Sequence, residues 1–182
     1  MARPTVRAER RAGITAAFAK VLARQGYAGA TIAAVADEAG VAPGLIHHHF
    51  EGKADLLRSL LDDLIARFRR RTGAKETGMN ALAAWLAAAL ELDDSSDAVA
   101  ARCWVGVLAE AVRNPGLGAQ VRRLVDTEIE GIRRRSGGRL SAQEAGAVLA
   151  FVMGALMLGA FTPKRTGGFA APAARMLVRA FQ

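Results

Sequence analysis

Hydrophobic residues recur at helical spacing along most of the chain. Ile14, Phe18, Val21 and Leu22 fall at i, i+4, i+7 and i+8, which predicts an amphipathic helix over 6–25, ended by Gly26. Ile32, Val35, Ala36 and Ala39 make a second helix, with Thr31 placed to cap it and Gly40 just past its end. Asp37 and Glu38 take its solvent side. Pro43 suits the first turn of a third helix, where its missing N–H goes unused, and Ile46 and Phe50 form that helix's apolar pair. Leu56, Leu57, Leu60, Leu61, Leu64, Ile65 and Phe68 carry a fourth helix over 53–71. Its basic C-terminal turn is where the helix dipole favours cations.

Gly73 and Gly78 bracket a connection, and the same periodicity then predicts helices over 79–92 and 96–113. Asn114-Pro115-Gly116 breaks the pattern before a seventh helix that runs to about 135. Ser141 and Glu144 form a capping box that opens an eighth helix, running to about 161. The stretch 162–169, with Pro163, Gly167 and Gly168, reads as a loop before a last helix over 171–181. There is little β signal, and the fold class is all-α. The uncharged segment 145–163 approaches the length of a membrane span, and Gly154, Ala155 and Gly159 give it the small residues that close-packed helices use. It is short for a span, however, and no aromatic belt brackets it. A helix buried at a dimer interface is the favoured reading, with a membrane-associated helical protein using 145–163 as the alternative.

Residues 31–53 therefore read as two short helices joined by a tight glycine turn, a helix-turn-helix of the kind that places a helix in the DNA major groove. A plain helical hairpin can show the same pattern. The run Thr31-Ile32…Val35-Ala36…Ala39-Gly40-Val41…Gly44-Leu45-Ile46…His48-His49-Phe50…Lys53…Leu56-Leu57 is more specific. With it, roughly 7–70 resembles the TetR family of bacterial transcriptional regulators. The resemblance implies a homodimer of about nine helices. Residues 1–52 would form a three-helix DNA-binding bundle, and 53–182 a helical domain that dimerises and binds a ligand, with helix 4 (about 53–71) joining the two. It implies dimerisation through helices at about 141–161 and 171–181 and a palindromic double-stranded operator. It further implies phosphate contacts from Thr31 and Lys53, with Pro43, Gly44, Leu45, His47 and His48 facing base edges or backbone. The chain departs from the family pattern at Ala42, where a Ser or Thr cap is usual, at His47, where Tyr is common, and at Leu45, where a small polar residue is common. Leu45 can meet a thymine methyl group instead.

Three successive histidines cannot converge on one ion, because helical neighbours point about 100° apart; no metal site is expected there. His47 and His48 are expected to face DNA, with affinity weakening as pH rises and their charge is lost, and His49 to lie near helix 1. The formal net charge is +8 and the pI about 10.9, which favours a polyanionic partner, although the arginine-rich, alanine-rich composition of a GC-rich genome accounts for part of it. Arg3, Arg7, Arg10 and Arg11 form either a phosphate-tracking arm or a solvated helix start. The single cysteine, Cys103, excludes an intrachain disulfide, and the N-terminus carries no secretory pattern. Both fit the cytoplasm. Trp85, Cys103, Trp104, Met153 and Met157 suit an adaptable ligand pocket for an unidentified small-molecule effector; such a stripe at helical spacing is more often plain core. Nucleotide-binding, hydrolase and metalloprotease motifs are absent, so neither an enzyme nor a cofactor is expected. The function expected is a sequence-specific transcriptional regulator, a repressor released from its operator by the effector.

Overall fold

The computed structural model describes residues 6–73, 77–90 and 96–180. Among them the chain forms α1 (Val6–Gly29), α2 (Ile32–Ala39), α3 (Pro43–His49), α4 (Lys53–Thr72), α5 (Met79–Leu90), α6 (Ser96–Ala111), α7 (Pro115–Arg135), α8 (Ala142–Gly159) and α9 (Pro163–Arg179), and no strand. Gly26, at φ 69°, breaks α1 where the periodicity ends, and one further short turn follows to Gly29. Asn114 caps α7 by accepting from the Leu117 N–H at 3.1 Å. Ser141 and Glu144 satisfy each other's backbone N–H groups at the start of α8.

The expected loop over 162–169 is not a loop. Helix α9 begins at Pro163 and continues through both Gly167 and Gly168. Each glycine costs roughly 1 kcal/mol against alanine in a helix, and tertiary packing overrides that cost. Thr166, Ala170, Ala174 and Val178, four residues apart, form one buried stripe. The Thr166 hydroxyl is satisfied by donating to the Thr162 carbonyl at 3.0 Å. Gly167, Gly168 and Pro172 lie on the exposed side, where the carbonyl that Pro172 leaves without a donor meets water.

Two apolar cores result. The first joins Ile14, Phe18 and Leu22 of α1 with Val35, Ile46, Phe50 and the leucines of α4, and reaches into Cys103, Trp104 and Val107 of α6. The second joins Leu82, Trp85 and Leu86 of α5 with Ile132 of α7, Val148, Val152 and Leu156 of α8, and the buried stripe of α9. Helix α8 is apolar and long enough to cross a membrane by composition. Here seven of its residues are buried against neighbouring helices, and the chain turns at 160–162 rather than running on to 163. It is a core helix of this fold.

Candidate nucleic-acid interface and effector cavity

The turn between α2 and α3 is specified residue by residue. The Thr31 hydroxyl accepts from the Ala34 N–H at 3.1 Å and caps α2. Gly40 takes φ 64°, ψ 38°, a left-handed conformation that a side chain adopts only at a cost. Its N–H closes the last turn on Ala36 and Asp37, and Val41 then packs on the core. Pro43 opens α3, where Ala42 offers no side-chain cap. Glu38 anchors α2 to α1 through Arg24 at 2.6 Å and Lys20 at 3.2 Å. Hydrogen bonds from these two bases hold its carboxyl below the usual range.

Helix α3 is fixed from beneath. Ile46 and Phe50 are fully buried. Arg11 of α1 donates to the His49 carbonyl, and its guanidinium lies 4.1 Å above the Phe50 ring. His49 is itself buried, as its position near α1 predicts. Burial, then the nearby charges of His48, Arg7, Arg11 and Arg10, push its imidazole pKa down. The opposite side is open. Pro43, Gly44, His47 and His48 are exposed and Leu45 is half-buried. The four exposed positions fall at i, i+1, i+4 and i+5, one helical face.

Thr31 caps α2 and Lys53 opens α4, the helices that precede and follow α3. Thr31 is exposed, and its hydroxyl proton remains available after the oxygen has capped α2. Lys53 opens α4; its Nζ donates to the Tyr27 carbonyl at 2.7 Å and sits 4.2 Å from the Tyr27 ring. An ammonium has three donors, so this contact orients Lys53 without saturating it. Arg7 is exposed in the first turn of α1, and Arg3 lies outside the described residues. Tyr27 packs back on the first core.

A cavity of about 50 Å³ lies between α4, α6, α7 and α8. Ile65, Phe68, Trp104, Leu124, Met153 and Leu156 are among its walls. Of the five pocket candidates, Trp104 and Met153 line it. Cys103, one residue before Trp104, points into the first core instead. Its thiol donates to the Ala19 carbonyl at 3.3 Å, and burial raises its pKa to about 12. Trp85 belongs to the second core, edge-on to Phe68 and beneath the Arg135 guanidinium. Met157 sits on the exposed face of α8. Among the described residues, the one carboxylate in its wall is Glu128. Glu128 is buried and accepts from Arg69 Nε at 3.1 Å and Nη2 at 3.0 Å. The readable signal was a carboxylate set in the apolar stripe Leu117, Val121, Leu124, Ile132 of α7.

Residues 14–60 match the family model of bacterial regulatory proteins of the tetR family. The chain is 34% identical over 113 residues to the HTH-type transcriptional regulator BetI of Paraburkholderia phytofirmans, an alignment covering 59% of this chain and 57% of that one. It is 30% identical over 87 residues to the HTH-type transcriptional repressor KstR2 of Rhodococcus jostii, covering 46% and 43%. The alignments thus span about half the length of these relatives. In three dimensions it resembles a transcriptional regulator from Rhodococcus sp. Rha1, with a TM-score of 0.83 over 94% of this chain and 95% of that one at 24% identity. A protein from Saccharomonospora viridis solved in complex with choline superposes with a TM-score of 0.69 at 22% identity, over 95% of each chain. At these identities the structural likeness establishes the shared fold.

Proposed function

This chain belongs to the tetR family of bacterial regulatory proteins, and from that premise we propose that it is a cytoplasmic, homodimeric repressor released from a palindromic operator by a small molecule. The observation that carries the reading is the open edge of α3. Pro43, Gly44, His47 and His48 face solvent on a helix whose other side is held by Ile46, Phe50 and Arg11. A helix fixed from behind and bare in front suits insertion into a major groove. Thr31 and Lys53 bracket it with donors for phosphates, and Arg7 adds charge.

Residues 1–52 then read DNA, while 53–182 dimerise and hold the effector. Dimerisation falls to α8 and α9, where Met157, Leu158, Phe161, Phe169 and Met176 are exposed; a symmetry mate covers them and makes a four-helix interface. The two parts are not independent, because Cys103, Trp104 and Val107 of α6 share a core with Phe18 and Leu22 of α1. Effector binding acts by population shift, and no more strongly than its differential affinity for the two states allows. Selection of bound fragments from random duplex DNA tests the reading. The expected result is an inverted repeat with half-sites one or more helical turns apart, about 34 Å each. No enrichment at low ionic strength removes the reading.

A further inference from the structure

Three observations at the cavity point the same way. At about 50 Å³ it is far smaller than the roughly 150 Å³ that admits benzene, so an organic effector must part the helices around it. Among the described residues, Glu128 is the only charged residue in its wall, and its balancing charge comes from outside. Arg69 of α4 is half exposed and reaches Glu128 from an open groove of about 420 Å³ between α4 and α7. Ile65 and Leu124 line both the groove and the cavity and so separate them. A second α4–α7 bond, from Gln120 Nε2 to Asp62 Oδ1 at 2.7 Å, spans the same groove.

We propose that the Arg69–Glu128 pair is a latch between groove and cavity, opened by a small organic cation with an apolar body, a quaternary ammonium in kind, that replaces the guanidinium on Glu128. This rests on reading the cavity as the effector site. The sign of the charge follows from desolvation. A buried carboxylate stripped of its partner is strongly destabilising, so whatever displaces Arg69 must bring a positive charge. A neutral ligand leaves Glu128 bare, and an anion adds repulsion. Arg69 loses little on leaving, because the groove already gives it water. Arg135, the other guanidinium that senses Glu128, is engaged over the Trp85 ring at 5.4 Å. Phe68 and Trp104 lie in the cavity wall, and aromatic rings beside a carboxylate are the surroundings that quaternary ammonium groups favour. Arg69 and Lys53 stand on one helix, about 24 Å apart along its axis. Opening the latch therefore removes one of these α4–α7 bonds from the helix whose other end adjoins α3.

Calorimetric titration of the purified full chain tests this with phenyltrimethylammonium, its uncharged isostere tert-butylbenzene, and benzenesulfonate. The expected result is binding of the cation about tenfold tighter than the isostere, with no saturable binding of the anion. Glu128→Gln should abolish that preference, and Arg69→Met, which removes the competitor, should bind the cation at least as tightly as the parent. Equal affinity for cation and isostere, no saturable binding of the cation, or a preference that survives in Glu128→Gln overturns the proposal. None of these readouts involves DNA. A chain that shows the charge preference and binds no operator sinks the regulator reading and leaves the latch. One that leaves its operator for a neutral or anionic compound sinks the latch and leaves the regulator.

Discussion

The two ends of this molecule are held together by different physics. At the helix-turn-helix end nearly every turn is closed by a residue chosen for local chemistry: the Thr31 cap, the left-handed Gly40, the proline that opens α3. The turns are set locally, and the edge of α3 that they expose carries Pro43, Gly44, His47 and His48. At the α8–α9 end local chemistry is poor. Two adjacent glycines and an internal proline sit within α9, and the finished surface still exposes Leu158, Phe161 and Met176. That end is specified by packing, and it leaves apolar side chains uncovered. Local signals suffice for a surface that meets a charged polymer; a surface that meets another apolar surface is written in long-range contacts.

That contrast can be broken, and the largest lever is in the first core. Ile46→Ala should cost about 2–5 kcal/mol, read by urea denaturation, and should remove DNA binding together with stability. A loss under 1 kcal/mol would mean that α3 is not held from beneath as described. At the other end, Leu158→Glu should weaken self-association about thirtyfold or more, as loss of a buried interface anchor does, while leaving the DNA-binding end folded. Sedimentation velocity checks this, and an unchanged assembly state would assign the exposed apolar surface to something else.

Two substitutions sharpen the account of the DNA edge. His48→Ala should shift preference at one base pair by about 1–3 kcal/mol, whereas Lys53→Ala should weaken all sequences alike and lower the salt slope by about one. Binding measured over a salt series on matched operators separates the two. The smallest effect is one of pH. Burial holds the His49 imidazole below its ordinary range, so the unfolded chain takes up the proton more readily than the folded one. This contribution is neutral above the ordinary histidine pKa of about 6.5 and turns against the fold as pH falls below it. Denaturation midpoints near pH 8 and pH 5 should differ less in His49→Gln than in the parent.

The same contrast explains what could be read in advance. The boundaries of α2 and α3 follow from Thr31, Gly40 and Pro43, because each acts on its own neighbours. The start of α9 did not follow, because Gly167 and Gly168 argue for a loop while the opposing evidence, Thr166, Ala170, Ala174 and Val178, consists of small residues that gain meaning only against a partner helix. The cavity was half legible. Trp104 and Met153 line it, but Cys103, about 100° round the helix from Trp104, turns toward Ala19 of α1 instead. Glu128 was hidden among the many surface carboxylates until its place on an apolar stripe was taken into account.

The Thr31 oxygen has two duties. One lone pair closes the first turn of α2, and the hydroxyl hydrogen stays free to donate to a phosphate. Aspartate caps a helix as well as threonine does, but it has no hydrogen to give and repels an anion. Serine and asparagine keep both duties. Thr31→Asp should therefore yield a chain as stable as the parent that grips duplex DNA weakly, and Thr31→Ser one that differs in neither respect.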